Sequence, residues 1–301
     1  MSAEPPRPGA LRAPGPAPVL VESSFLEALR GPEALRAVEL RPPRAGIPGE
    51  RSVDAWIDLN RTIQSLLRQG RFVLVTDDAV GDREEESLQH LTTNLGPESD
   101  LSRVIPFLTL KHSLDYCVLF ARRAASHELG ALTITGGDRV VGPPRCFPRS
   151  RALRELLRER APELPLGAWV NPHGDPERQV GLLLDPEHEA DYFLSQVVSH
   201  HDLAAVDRFL EEAARRGLRV PGMFGVFYYR SANPKTMDKL ERFMPVPREA
   251  VIKEFASGGR PVEICARTIE ALASRGVRKV YVSNLAVRGA DERLREIESL
   301  V

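Results

Sequence analysis

Short, nearly continuous apolar runs alternate along this chain with stretches whose apolar residues recur every three or four positions. The runs are Ala37–Leu40, Phe72–Thr76, Val104–Leu110, Ala131–Thr135, Ala168–Val170, Tyr192–Val198, Met223–Tyr229 and Lys279–Ser283. Several lack the in–out alternation of a one-faced strand, the pattern of parallel strands covered on both sides. The intervening stretches predict amphipathic helices. Val53–Leu67 carries Trp56, Leu59, Ile63 and Leu67 on one face; Leu203–Arg216 carries Val206, Leu210 and Ala213; Val262–Ala273 carries Ile264, Ala266, Ile269 and Leu272.

Eight strands with helical connections, repeating every roughly 25 to 40 residues, predict an α/β chain folded as a (β/α)8 TIM barrel. The longest gap, between the seventh and eighth strands, predicts two or three extra helices within Pro234–Phe243, after Pro247 and in Val262–Ala273. An open doubly wound sheet is the structural rival. It is weakened because no GxGxxG phosphate loop follows the first strand.

Composition refines the picture at the ends. Residues 1–18, rich in Pro, Ala and Gly, have no apolar periodicity to offset the entropy of ordering and predict a disordered tail. Residues 19–301 then form a single barrel domain. With 42% hydrophobic and 28% charged residues and a net charge of -1, the 301-residue chain has an ordinary globular composition. That balance implies no broad attraction to nucleic acid or an anionic membrane. No apolar run is long enough to span a bilayer, and no basic-then-apolar leader opens the chain, so a cytoplasmic protein is expected. Cys117, Cys146 and Cys265 stand far apart with no CxxC pair, as for free thiols.

In a barrel, the C-terminal strand ends converge on one face, where catalysis sits. Polar residues at those ends are therefore the candidates. Glu39, in AVELRPP, is a carboxylate in an apolar strand stopped by two prolines. Partial burial would raise its pKa and suit it to proton donation; a salt bridge with Arg41 or Arg44 is the competing reading. Thr76, Asp77 and Asp78 end the second strand. Gly136 and Gly137 end the fourth, where a bare backbone lets a flat ligand approach, and Asp138 follows them. Asn171 and His173 follow the fifth. Gln196 interrupts the sixth and needs partners for donor and acceptor alike, from a ligand or from neighbouring backbone. His200 and His201 come next; as adjacent residues they are read as pointing apart, with no carboxylate spacing to complete a metal site, and no metal is assigned. Phe227, Tyr228, Tyr229 and Arg230 form the densest aromatic cluster, able to stack a planar ligand and pair its anionic groups, or simply a mixture of core and surface. Ser283 and Asn284 end the eighth strand.

At these positions the chain resembles the methylenetetrahydrofolate reductase family over residues 35–288. AVELRPP is similar to its first-strand motif, FVLVT to its second strand and PFLTL to its third. GGD, FLSQ, VPGMFGV and VYVSNL are similar to its fourth, sixth, seventh and eighth. The resemblance implies a (β/α)8 barrel that reduces 5,10-methylenetetrahydrofolate to 5-methyltetrahydrofolate. It implies Glu39 as the acid that protonates a ring nitrogen and stabilises the resulting iminium. It assigns the pterin contacts to Asp138 and Gln196, with Thr76 and Tyr229 as further substrate-side candidates. Phe227, Arg230, Asn171 and Asn284 are then candidates for the cofactor side.

Three departures bear on the cofactor. The family's third-strand histidine is Phe107 here, its fourth-strand arginine is Gly136, and its fifth-strand tyrosine is Asn171. Losing a cation and two hydrogen-bonding rings weakens the case for FAD. GVFYYRSANPKTMDKLERFMPVP and EICARTIEALASRGVRKVYVSNL resemble the divergent actinobacterial branch of the family. That resemblance implies direct use of NADH, or NADPH, without FAD. A flavoenzyme with altered flavin contacts and a folate-binding barrel that has lost catalysis are the alternatives. A small-molecule folate is the expected partner; no oligomeric state is read from the sequence.

Overall fold

The computed structural model describes residues 23–78, 83–137, 142–185 and 190–301. The tail expected over 1–18 and the pterin contact expected at Asp138 lie outside these residues. Eight strands, β1 (Leu35–Leu40), β2 (Val73–Val75), β3 (Val104–Thr109), β4 (Leu132–Thr135), β5 (Leu166–Val170), β6 (Tyr192–Val198), β7 (Gly222–Phe227) and β8 (Lys279–Ser283), pair in sequence order. Every pairing is parallel and β8 returns to β1, so the sheet is a closed (β/α)8 barrel. The doubly wound rival is excluded.

The helices are α1 (Ser24–Arg30), α2 (Gly49–Arg68), α3 (Leu88–Asn94), α4 (Leu114–Ser126), α5 (Ser150–Arg160), α6 (Pro176–Leu183) and α7 (Ala204–Arg215), then α8 (Pro234–Leu240), α9 (Arg248–Ala256), α10 (Pro261–Ala273) and α11 (Ala290–Glu298). Three of them, α8, α9 and α10, fill the gap between β7 and β8, as the spacing predicts. No described helix is long and apolar enough to cross a membrane.

Alternation along each strand divides the core in two. Val38, Leu40, Val73, Val75, Leu108 and Val282 face outward into the layer shared with the helices. Ala37, Leu74, Ile105, Tyr192, Leu194, Met223 and Tyr281 fill the interior. Two interior tyrosines need glycine opposite them. A Cβ on Gly167 would stand 2.4 Å from the Tyr192 ring, and one on Gly225 would stand 2.5 Å from the Tyr281 hydroxyl. Each hydroxyl is satisfied: Tyr192 shares a 2.7 Å hydrogen bond with Thr133, and Tyr281 donates to the Ser195 carbonyl at 2.5 Å. The barrel is therefore a packed core rather than a pore.

The two ends differ. At the N-terminal end α1 acts as a plug. Phe25 packs edge-on against Tyr192, at 5.1 Å between centroids, while Ser23 donates to the Gly130 carbonyl and Lys279 to that of Ala28. The C-terminal end carries the long connections. Met237, Met244, Val251 and Ile264 of the β7–β8 insert join Phe227 and Tyr229 in the interior cluster, so the insert folds over the β6–β7 side of the mouth.

Candidate active site

Glu39 points inward from β1 at the mouth. Its carboxylate accepts a 2.5 Å hydrogen bond from Ser283 Oγ at the end of β8. Burial pushes its pKa up, partly countered by that hydrogen bond and by the charge of Arg41. The salt-bridge reading transfers to a neighbour: Arg41 Nε donates at 2.9 Å to Oε1 of Glu84.

Glu84 is a second mouth carboxylate that sequence reading passed over. The chain after β1 runs antiparallel to residues 83–85, with Ala45 N–H donating to Arg83 O and Glu85 N–H to Pro43 O. This ribbon carries Glu84 back over β2, where Thr76 Oγ1 donates to its Oε2 at 2.9 Å. Thr76 thus lies in the mouth as expected, holding a carboxylate. The Glu84 side chain is 2% exposed, and burial raises its pKa to about 7, against the lowering effect of Arg41.

Beside it stands a His–Asp pair. Asp77 accepts from the Thr109 N–H at 2.6 Å, and His112 Nε2 lies 2.8 and 2.9 Å from its two oxygens. Burial works against protonation of His112, but the Asp77 hydrogen bond and the charges of Asp77 and Asp78 outweigh it and raise the pKa. Asp78 takes a left-handed backbone conformation, φ 50°, and accepts the Glu84 N–H at 2.8 Å.

At the end of β4, a Cβ on Gly136 would stand 3.0 Å from a guanidinium nitrogen of Arg145, which donates to the Gly137 carbonyl. Arg145 thus places a cation beside position 136. Phe107 is buried and packs edge-on against Trp169 at 5.7 Å, offering no polar group. Asn171 caps its own loop, its side-chain oxygen accepting from the His173 N–H at 3.2 Å.

Gln196 sits in a β-bulge, where the β6–β7 register shifts between Leu194 and Val197. Its Oε1 accepts the Val197 N–H at 2.9 Å and its Nε2 reaches the Phe243 carbonyl at 3.4 Å. Backbone therefore satisfies its acceptor, and only part of its donor capacity is used. Phe227 and Tyr229 are buried, with ring centroids 4.9 Å apart, and border a cavity of about 90 Å³ with Val197, Ser199, Met244 and Pro247. Arg230 is exposed, its Nε donating to Asn284 O, while Asn284 Nδ2 donates to Tyr228 O. These two residues lock the ends of β7 and β8 to each other.

One reading is overturned. His200 and His201 do not point apart: their ring centroids are 3.9 Å apart and both Nε2 atoms face Glu254. They lie in a turn beyond β6, where strand alternation no longer applies.

No protein-family model matches the sequence, and no curated protein matches it. Solved structures do resemble the fold. An uncharacterized protein from Clostridium thermocellum, described as binding two copies of 5-methyl-5,6,7,8-tetrahydrofolic acid, superposes with a TM-score of 0.64 at 16% identity, covering 92% of this chain and 96% of its own. The carboxyl transferase domain of Rhizobium etli pyruvate carboxylase, with pyruvate, superposes with a TM-score of 0.53 at 13% identity, covering 93% of this chain and 47% of the other. Two such different ligands on one architecture mean that these likenesses establish the barrel alone.

Proposed function

We propose that this chain is a folate-handling oxidoreductase that reduces 5,10-methylenetetrahydrofolate to 5-methyltetrahydrofolate with NADH or NADPH. The observation that carries the reading is Glu39: a carboxyl buried at the barrel mouth, oriented by Ser283, with its pKa raised. A carboxylic acid that keeps its proton toward neutral pH is suited to protonate a ring nitrogen and then to stabilise the resulting cation. The ordered strand-end motifs support the substrate, as does 5-methyltetrahydrofolate, the product of this reaction, as ligand of the Clostridium thermocellum barrel.

Phe227 and Tyr229 supply an aromatic wall on the β7 side, and Gln196 retains an N–H for a heterocycle edge. The nicotinamide supplies hydride when bound; the protein's share is to orient the substrate, to exclude water and to hold the proton on Glu39. The cavity beside Phe227 and Tyr229, about 90 Å³, is far smaller than the roughly 300 Å³ of an ordinary ligand pocket. This cavity alone therefore does not house the substrate, which would bind across the open mouth.

A second reading keeps FAD in the same mouth, favoured by the Arg145 guanidinium beside position 136. The test is anaerobic NADH oxidation with methylenetetrahydrofolate, with and without added FAD. Turnover by flavin-free protein supports direct transfer. Turnover only with FAD establishes the second reading, and folate binding without oxidation at either setting defeats both.

A further inference from the structure

The turn after β6 and the helical insert before β8 meet at three side chains that the proposed reduction does not use. His200 and His201 place their Nε2 atoms 3.4 and 2.7 Å from one atom, Oε2 of Glu254 in α9. That oxygen is buried and accepts no hydrogen bond, so neither ring aims an N–H along the contact. A buried carboxylate oxygen facing two ring nitrogens off-axis is poorly served as a hydrogen-bond acceptor.

The surrounding groups favour lone pairs over protons at the centre. Thr268 donates its hydroxyl to the Ile264 carbonyl, so its oxygen, which accepts the His200 backbone N–H at 3.3 Å, can also accept the Nδ1–H of His200 at 2.9 Å. With the proton on Nδ1, Nε2 presents a lone pair toward Glu254. Ser199 Oγ lies 2.8 Å from His201 Nδ1 and can orient that ring in the same way. Arg267 holds the other carboxylate oxygen, Oε1, through two nitrogens at 2.6 and 2.5 Å, which leaves Oε2 turned to the histidines.

We propose that His200, His201 and Glu254 form a binding site for one divalent cation of the zinc type, with a fourth position for water. Two imidazoles and one carboxylate suit a borderline cation, whereas calcium and magnesium prefer all-oxygen sites. Bonds of about 2.0–2.1 Å in a tetrahedral site hold ligand atoms roughly 3.3 Å apart. His200 already meets that spacing; His201 at 2.7 Å meets it after a carboxylate shift of about 0.6 Å. Orienting partners on both rings and on the carboxylate are the support that metal ligands require. A bound ion ties the β6 loop to α9, and through Thr268 to α10.

One other group among the described residues is close enough to share an ion, Asp77, Asp78 and His112. Both Asp77 oxygens are engaged there by His112 and the Thr109 N–H, and Asp78 accepts the Glu84 N–H. It serves as the internal control.

The test uses the whole chain, stripped with a chelator and titrated with zinc and cobalt(II) chlorides. One equivalent should bind, with the intense visible absorption of four-coordinate cobalt. His200→Gln/His201→Gln and Glu254→Gln should each weaken binding tenfold or more, with folding checked by circular dichroism, and His112→Gln should leave it unchanged. The wild-type cobalt spectrum stands whether or not a variant folds. No stoichiometric binding, a weak six-coordinate spectrum, binding that survives both variants, or loss of binding in His112→Gln would each overturn the site.

Discussion

Ser283 Oγ, the last residue of β8, donates a 2.5 Å hydrogen bond to Oε1 of Glu39 in β1, across the seam where the barrel closes. Burial raises the Glu39 pKa and this bond lowers it, so Ser283→Ala should raise it further. If Glu39 acts as its protonated form, the alkaline limb of the pH–kcat/KM profile should move to higher pH. An unmoved limb would remove Glu39 from the rate-determining proton transfer.

Glu39→Gln keeps the shape and hydrogen-bonding reach but cannot deliver the proton. Turnover should fall by about 10²–10⁴-fold, while 5-methyltetrahydrofolate binding by calorimetry stays within a few-fold. Near-wild-type turnover would sink the proposed role.

Glu84 tests the mouth electrostatics without any assay of function. Its folded value of about 7 lies above the ordinary 4.5. Its contribution to stability is thus full below pH 4.5 and is lost as pH rises through about 7. The difference corresponds to about 3 kcal/mol. In urea unfolding, wild type should lose about that much relative to Glu84→Gln between pH 4.5 and 8; parallel curves would refute the buried-acid account.

The interior tyrosines make a packing prediction. Gly167→Ala drives a methyl to 2.4 Å from the Tyr192 ring and should cost about 1–3 kcal/mol. In a double-mutant cycle with Tyr192→Leu part of that loss should return, because the two changes share one space. Strict additivity would mean that the backbone, not the ring, absorbs the methyl.

Gln196 supports the bulge and, on the proposed reading, the substrate. Gln196→Ala leaves the Val197 N–H without its acceptor, costing about 1 kcal/mol of stability. It should also weaken 5-methyltetrahydrofolate binding about tenfold, or about 1.4 kcal/mol. Lower stability with unchanged affinity would confine Gln196 to holding the bulge.

The barrel was legible because parallel strands covered on both faces must be apolar almost throughout, as β3 is, and the interposed helices show their period. Glu39 was legible for the same reason: a carboxylate in such a strand stands out. Glu84 was not, because its place depends on a short ribbon folding back over β2, and nothing in a run of surface-like acids at Glu84–Glu86 marks the one that becomes buried. His200 and His201 misled because the alternation rule was carried past the end of β6 into a turn. Glu254, their partner, arrives from a separate helix that only the folded insert brings near. Arg145 likewise reaches the end of β4 from a later loop, a proximity that no strand pattern records.

The meeting of β8 with β1 also sets a schedule. During synthesis Glu39 emerges among the first ordered segments, whereas Ser283 belongs to the final strand. Until that strand docks, the open sheet has two bare edges and the carboxyl lacks its oriented hydrogen bond. A chain ending before β8 would therefore lack both the hydrogen bond that orients Glu39 and the pairing that covers the free edge of β1. The orientation of Glu39 is thus a property of the closed barrel and not of its first strand.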